Sequence, residues 1–149
     1  MAKKDKKPSY FTEEEETYQV FVYGTLKSGG DIRGLNQFGD GATIVGKAKT
    51  TYPDYEMADL GAFPGVFENG EYHIEGEVWE VNSQILSELD AIEGYTGDPA
   101  TNFYSRIIVV TDQGKAFMYV LDKNVYGSIK DDIKNSVETF DNVQRWILN

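Results

Sequence analysis

The chain has 149 residues, the size of one domain, and sets 14 Lys and Arg against 25 Asp and Glu, for a net charge of −11. So acidic a balance argues against nucleic acid or an anionic membrane as the partner, because both require a basic surface. The chain has no cysteine and one histidine. Disulfides, thiol nucleophiles and Cys-ligated zinc are therefore excluded, and a histidine-rich metal site or a Ser-His-Asp triad is hard to build.

Hydrophobic residues make up 40% of the chain, enough for a packed core. No apolar run approaches the ~20 residues of a membrane span. The start, Met1-Ala2-Lys3-Lys4, is basic, but no apolar stretch follows it, so it does not read as a secretory signal. The expected location is the cytoplasm. Residues 1–17 hold runs of Lys and then Glu, which repel and bury nothing, so they read as a charged flexible tail. Residues 18–149 then form a single domain.

Residues 18–23 are rich in β-branched and aromatic side chains and predict a strand ending at Gly24. A long glycine-containing loop follows, to Gly41, with a short helical turn near residues 34–38. A loop of that length is more often functional than idle. Residues 43–51 and 55–60 are further strands. Residues 66–67 and 72–81 read as a hairpin across Asn69-Gly70, a pair that tolerates the positive φ of a tight turn. A helix is predicted over 83–93, where Ile85, Leu86, Leu89 and Ile92 recur at helical spacing, Asn82 or Ser83 can cap the start and Gly94 the end. Residues 103–111 and 115–121 form a second hairpin. The stretch after Tyr126-Gly127 carries helical spacing, with Ser128 and Asp131 as a capping box, and predicts a C-terminal helix over the sheet. Strands dominate, so the fold class is α+β with a mostly antiparallel, curled sheet.

Several motifs fail. The segment from Gly24 to Gly30 lacks the Gly-Lys-Ser/Thr ending of a phosphate loop. There is no nucleophile elbow and no calcium loop. His73, on a predicted strand, reads as a structural histidine, and Glu75 and Glu77 alternate along the same strand.

Two features survive. The first is the strand end Tyr23-Gly24-Thr25-Leu26, where a glycine lets the chain turn sharply and consecutive backbone N–H groups can bind an anion. The second is Glu93, placed at the C-terminal end of the predicted helix. A carboxylate there faces the negative end of the helix dipole, and with Ile92 and Tyr95 beside it, desolvation adds to the effect. Both raise its pKa above the reference of ~4.3, the tuning that lets a carboxyl take and return a proton near neutral pH. Taken singly, the ordinary readings outweigh these: a plain strand-to-loop turn, and a surface glutamate at a frayed helix end.

Together with Asp59-Leu60-Gly61-Ala62-Phe63-Pro64-Gly65-Val66, Gly76-Glu77-Val78-Trp79-Glu80-Val81, Leu89-Asp90, Glu93-Gly94-Tyr95, Phe103-Tyr104, Arg106 and Tyr119-Val120-Leu121, these residues stand in an order that resembles the γ-glutamylcyclotransferase superfamily. Within it, they resemble the γ-glutamylamine cyclotransferase and AIG2-like branch. The resemblance covers residues 18–122 and is weak beyond. It implies a small β-barrel, mostly antiparallel, with a few flanking helices. It also implies a small-molecule γ-glutamyl substrate and no metal or organic cofactor. The implied reaction is attack of the substrate's α-amine on its own γ-carbonyl, releasing 5-oxoproline and an amine. Glu93 matches the family's general acid/base, and Tyr23 with the Gly24, Thr25 and Leu26 backbone matches the loop that holds the α-carboxylate. Tyr119 would line the pocket. Asp90 is read as structural and Arg106 as an ion-pair partner. A non-catalytic AIG2-like binding or interaction protein is the alternative, and a hydrolase using Glu93 to activate water a third reading.

Overall fold

The computed structural model describes residues 16–24, 35–61, 63–98, 100–121 and 136–147. Residues 1–15 of the expected tail, Thr25, Leu26 and most of the glycine loop lie outside the described residues, while Thr17, expected as the last tail residue, is the first of β1. Among those described, the elements in order are β1 (Thr17–Val22), a 3-10 turn (Leu35–Gly41), β2 (Ala42–Lys49), β3 (Tyr55–Asp59), β4 (Pro64–Glu68), β5 (His73–Asn82), α1 (Ser83–Ile92), β6 (Tyr104–Thr111), β7 (Gly114–Leu121), β8 (Val137–Phe140) and β9 (Val143–Trp146).

Strands β6-β7-β1-β5-β9-β8 form one mixed sheet, with β2 added on β5, and β3 with β4 forms a second. β5 is the spine. It pairs antiparallel with β1 on one side, Val22 opposite Glu77, and with β2 on the other. β1 and β9 run parallel to β7 and β5 respectively. The sheet curls into a half-barrel until the end of β2 meets the tip of the β6–β7 hairpin. There the Asp112 N–H donates to the Lys49 carbonyl, the Lys49 N–H to Asp112 Oδ1, and the Thr51 N–H to the Val110 carbonyl. The alternation of strand side chains serves two cores. Val20 and Val22 of β1 face a cluster with Trp79, Val81 and the Ile85, Leu86 and Leu89 stripe of α1. Phe21 and Tyr23 face the other, with Met57, Val66, Met118 and Trp146. No helix among the described residues is long and apolar enough to cross a membrane.

Two expected elements differ. The predicted hairpin across Asn69-Gly70 does not form. Asn69 does take a left-handed turn, φ 68°. However, β4 pairs back onto β3, Asp59 opposite Pro64, and the turn instead carries the chain from the small sheet into the large one. Hydrogen bonds between Tyr55 and Tyr72 in both directions clamp that crossover. A turn signal fixes where the chain reverses, not which strand takes the hydrogen bonds. β5 has both edges filled, by β2 along one and by β1 and β9 along the other, which leaves β4 to β3.

The predicted C-terminal helix is, over its described part, a hairpin. Asp141 and Asn142 both have positive φ, 54° and 67°, the geometry of a tight β-turn. Gln144 then fixes β9 in place, accepting from the Met57 N–H at 2.7 Å and donating to Thr139 Oγ1 at 3.1 Å. The apolar spacing fitted a helix, but Gln144 and Trp146, two apart, are the buried pair of β9. His73 has the structural role expected, its Nδ1 2.9 Å from the Thr50 carbonyl oxygen.

Candidate active site

The end of α1 positions Glu93. The helix starts at Asn82, whose Oδ1 accepts the Ile85 N–H at 2.8 Å as an N-cap should. It stops because Gly94 adopts φ 69°. The Gly94 N–H donates to Ala91 and the Tyr95 N–H to Asp90, the two reversed bonds of a Schellman cap. Glu93 is therefore the capping residue, held between the last turn and the glycine. Its own carbonyl accepts the Tyr104 N–H at 3.2 Å, and the Gly94 carbonyl accepts the Phe103 N–H at 3.0 Å. The helix end is stitched to the strand that carries the next two residues of the site.

Side chains hold the same joint from the other side. Arg106 Nη1 donates to both carboxylate oxygens of Asp90, at 2.9 and 2.7 Å, and the Tyr119 hydroxyl donates to Asp90 Oδ1 at 2.7 Å. The Arg106 guanidinium lies over the rings of Tyr95 and Phe117, 5.0 and 4.5 Å from their centroids. The structural role expected of Asp90 and the ion pair expected of Arg106 are both present.

Beside this joint is a cavity of about 270 Å³. Tyr23 and Gly24 from the end of β1, Pro64 from β4, Glu93, Tyr104 and Tyr119 line it, with Phe21 and Val22 beneath and Phe63, Ile92 and Phe103 around it. Of the residues singled out in the sequence, Tyr23, Gly24, Glu93 and Tyr119 thus come together, while Thr25 and Leu26 fall outside the described residues. Gly24 also has a packing role. A Cβ built on it would lie 2.7 Å from Pro64 Cγ, so the space that glycine leaves is taken by the proline ring. That contact joins β1 to the small sheet at the cavity.

The cavity is lined by three buried tyrosines, each committed. Tyr23 donates to the Tyr119 carbonyl, Tyr104 donates to the Pro64 carbonyl at 2.7 Å, and Tyr119 donates to Asp90. Burial pushes the hydroxyl pKa of each above its ordinary value, and the nearby Glu93 charge adds to the rise, so all three stay neutral. Glu93 differs. Among the described residues its carboxyl has no hydrogen-bond or ion-pair partner, and burial pushes its pKa up to about 7. A half-buried carboxyl with that pKa is populated in both charge states near neutrality. It can therefore accept a proton in one step and return it in the next. Among the described residues no group of three or more His, Asp or Glu side chains is arranged to hold a metal ion.

Tyr104, Phe63, Pro64 and Phe103 were not given a role in the site from sequence. All four lie within the motifs at 59–66 and 103–106, whose presence was the available signal. Spacing along the chain could not bring a β3–β4 loop and the start of β6 to the end of α1.

Residues 20–142 match the family described as gamma-glutamyl cyclotransferase, AIG2-like. The gamma-glutamylcyclotransferase family protein YtfP of Escherichia coli strain K12 is 32% identical over 110 residues, which is 73% of this chain and 87% of that protein. The solution structure of protein ytfP from Escherichia coli superposes with a TM-score of 0.52 at 29% identity, covering 69% of this chain and 81% of the other. An AIG2-like protein from Mus musculus shares the fold with a TM-score of 0.56 at 23% identity, over 71% and 78% of the two chains. The chain belongs to the gamma-glutamyl cyclotransferase, AIG2-like family.

Proposed function

We propose that the protein is a cyclotransferase that opens a γ-glutamyl amide, with Glu93 as the general acid/base. The observation that carries the reading is a half-buried carboxyl in a cavity, without a partner among the described residues and with a pKa near 7. The ionised Glu93 takes a proton from the substrate's α-ammonium, because an ammonium has no lone pair to attack with. The freed amine adds to the γ-carbonyl carbon. Glu93 returns its proton to the amide nitrogen, and the C–N bond breaks. The ring amide nitrogen loses its second proton to solvent, and the released amine takes one from solvent. The products are 5-oxoproline and the free amine. Folding the substrate so that amine and carbonyl meet supplies much of the rate, since the attack is intramolecular.

The end of β1 is assigned the glutamyl α-carboxylate: the Gly24, Thr25 and Leu26 backbone would donate N–H groups to it, with Tyr23 opening that turn. Tyr119 walls the cavity and, through Asp90, ties it to the helix end. Binding an anion on backbone donors suits a protein of net charge −11. A γ-glutamyl amine is the favoured substrate class.

The test is 5-oxoproline release, read by mass spectrometry, from γ-glutamyl-ε-lysine, γ-glutamyl dipeptides and γ-glutamyl polyamines, with Glu93→Gln in parallel. Oxoproline from the parent and not from the variant is expected, and kcat/KM should fall as pH drops below about 7. Glutamate in its place means hydrolysis. No product from any substrate favours a binding protein.

A further inference from the structure

The lining of the cavity divides by exposure. Phe21, Tyr23, Tyr104 and Tyr119 are buried. Three others are large, apolar and open to solvent: Phe63 is 38% exposed, Ile92 57% and Phe103 39%. Single exposed apolar side chains are ordinary, but a cluster around one opening is not. These three arrive from separate elements, the β3–β4 loop, the last residue of α1 and the residue before β6. Ile92 continues the Ile85, Leu86, Leu89 stripe and should by spacing be buried. It emerges because, at this end of the helix, the cavity replaces the core.

We infer that Phe63, Ile92 and Phe103 form the subsite for the leaving amine and select amides whose amine carries an apolar group. The inference rests on the cyclotransferase reading and deepens it. Glu93 must come within hydrogen-bond reach, ~2.6–3.2 Å, of the leaving nitrogen to protonate it. The substituent on that nitrogen therefore starts beside Glu93. Ile92 precedes Glu93 in the chain, and the Phe103 and Tyr104 N–H groups are bonded to the Gly94 and Glu93 carbonyls, at 3.0 and 3.2 Å. With the buried tyrosines committed to their own partners, the substituent extends towards the exposed side chains. Among the described lining residues Glu93 is the only charged one. An anionic leaving group would meet no counter-charge among these residues and would face the Glu93 carboxyl. An alkyl or aryl group would cover the exposed side chains and remove them from water.

Two isosteric substrates isolate this effect, γ-glutamyl-n-butylamide and γ-glutamyl-3-hydroxypropylamide, which differ by a methyl in place of a hydroxyl. The parent should favour the butylamide about tenfold in kcat/KM, the range open to an apolar pocket. Ile92→Gln and Phe103→Gln should each cut that ratio about threefold or more, with circular dichroism and melting checking that each variant is folded. The replacement of Ile92 is at an exposed helix position and keeps the assay informative if the Phe103 variant fails to fold. Equal kcat/KM for the two amides leaves the cyclotransferase reading standing and overturns the inference alone. A preference that persists unchanged in Ile92→Gln also overturns it. 5-Oxoproline from γ-glutamyl-ε-lysine, dipeptides or polyamines but from neither of these amides overturns the inference alone, and none from any of them defeats the cyclotransferase reading, with which the subsite falls.

Discussion

Asp90 and Glu93 stand one turn apart at the end of α1, and their surroundings differ: one is tied into the structure, the other is left as the proposed acid/base. Asp90 meets a guanidinium on both oxygens and a phenol on one of them. Those bonds fasten the helix to β6 and β7. Glu93 faces the cavity and, among the described residues, meets no such donor. Burial alone acts on it and holds its proton to about pH 7. The residue types are nearly the same, so it is the supply of donors that separates the anchor from the carboxyl proposed to carry the proton.

Exchanging the two residues' properties is the way to break that contrast. The largest effect is expected from Glu93→Gln, which should lower kcat by ~10²–10⁴-fold while substrate affinity is kept. Steady-state kinetics and calorimetric titration with the same γ-glutamyl amide check it. Next comes Arg106→Ala, which strips Asp90 of its cation. Both side chains are about one-fifth exposed, 21% and 23%. The cost should therefore fall below that of a fully buried pair, about 2 kcal/mol in urea denaturation. Its kcat should drop less than that of Glu93→Gln, because the proton carrier remains.

The third prediction uses pH. A carboxyl whose folded pKa is raised binds its proton more tightly in the native state than in the unfolded one. The native protein therefore loses stability as pH rises from about 4.5 to about 7. Glu93→Gln escapes that loss. The variant should be more stable than the parent by about 3 kcal/mol at pH 8, and close to it at low pH. Equal differences in melting at both pH values would contradict this. The smallest effect is expected from Gly94→Ala, which places a Cβ at φ 69°. It should cost about 1 kcal/mol, seen in the melting temperature. Because that cap orients Glu93, kcat should fall with little change in KM.

Elements with a local cause were legible in the sequence. The periodicity of α1, its Asn82 cap and its Gly94 stop placed Glu93 at the helix end, within one residue of where it lies. The 103–121 hairpin formed as expected, Thr111 pairing with Gly114. What was not legible depended on partners distant in the chain. Nothing near Asn69 says that β3 will take β4. Nothing near Phe140, 79% exposed on β8, says that Gln144 will reach the Met57 N–H. At the site, the sequence marked Glu93 and the strand end at Tyr23, but not that Pro64 would fill the space beside Gly24 or that Tyr104 would join the wall. Those contacts are set by the curl of the sheet.

The most direct test of the account is a titration of Glu93 itself. Glutamate labelled with 13C at the side-chain carboxyl, with the resonance assigned by its absence in Glu93→Gln, would be followed from low to high pH. The account predicts a carboxyl with a midpoint near 7 that is lost in the variant. A Glu93 midpoint close to the ordinary ~4.3 would mean the carboxyl is solvated and not tuned, and would contradict its role as acid and base.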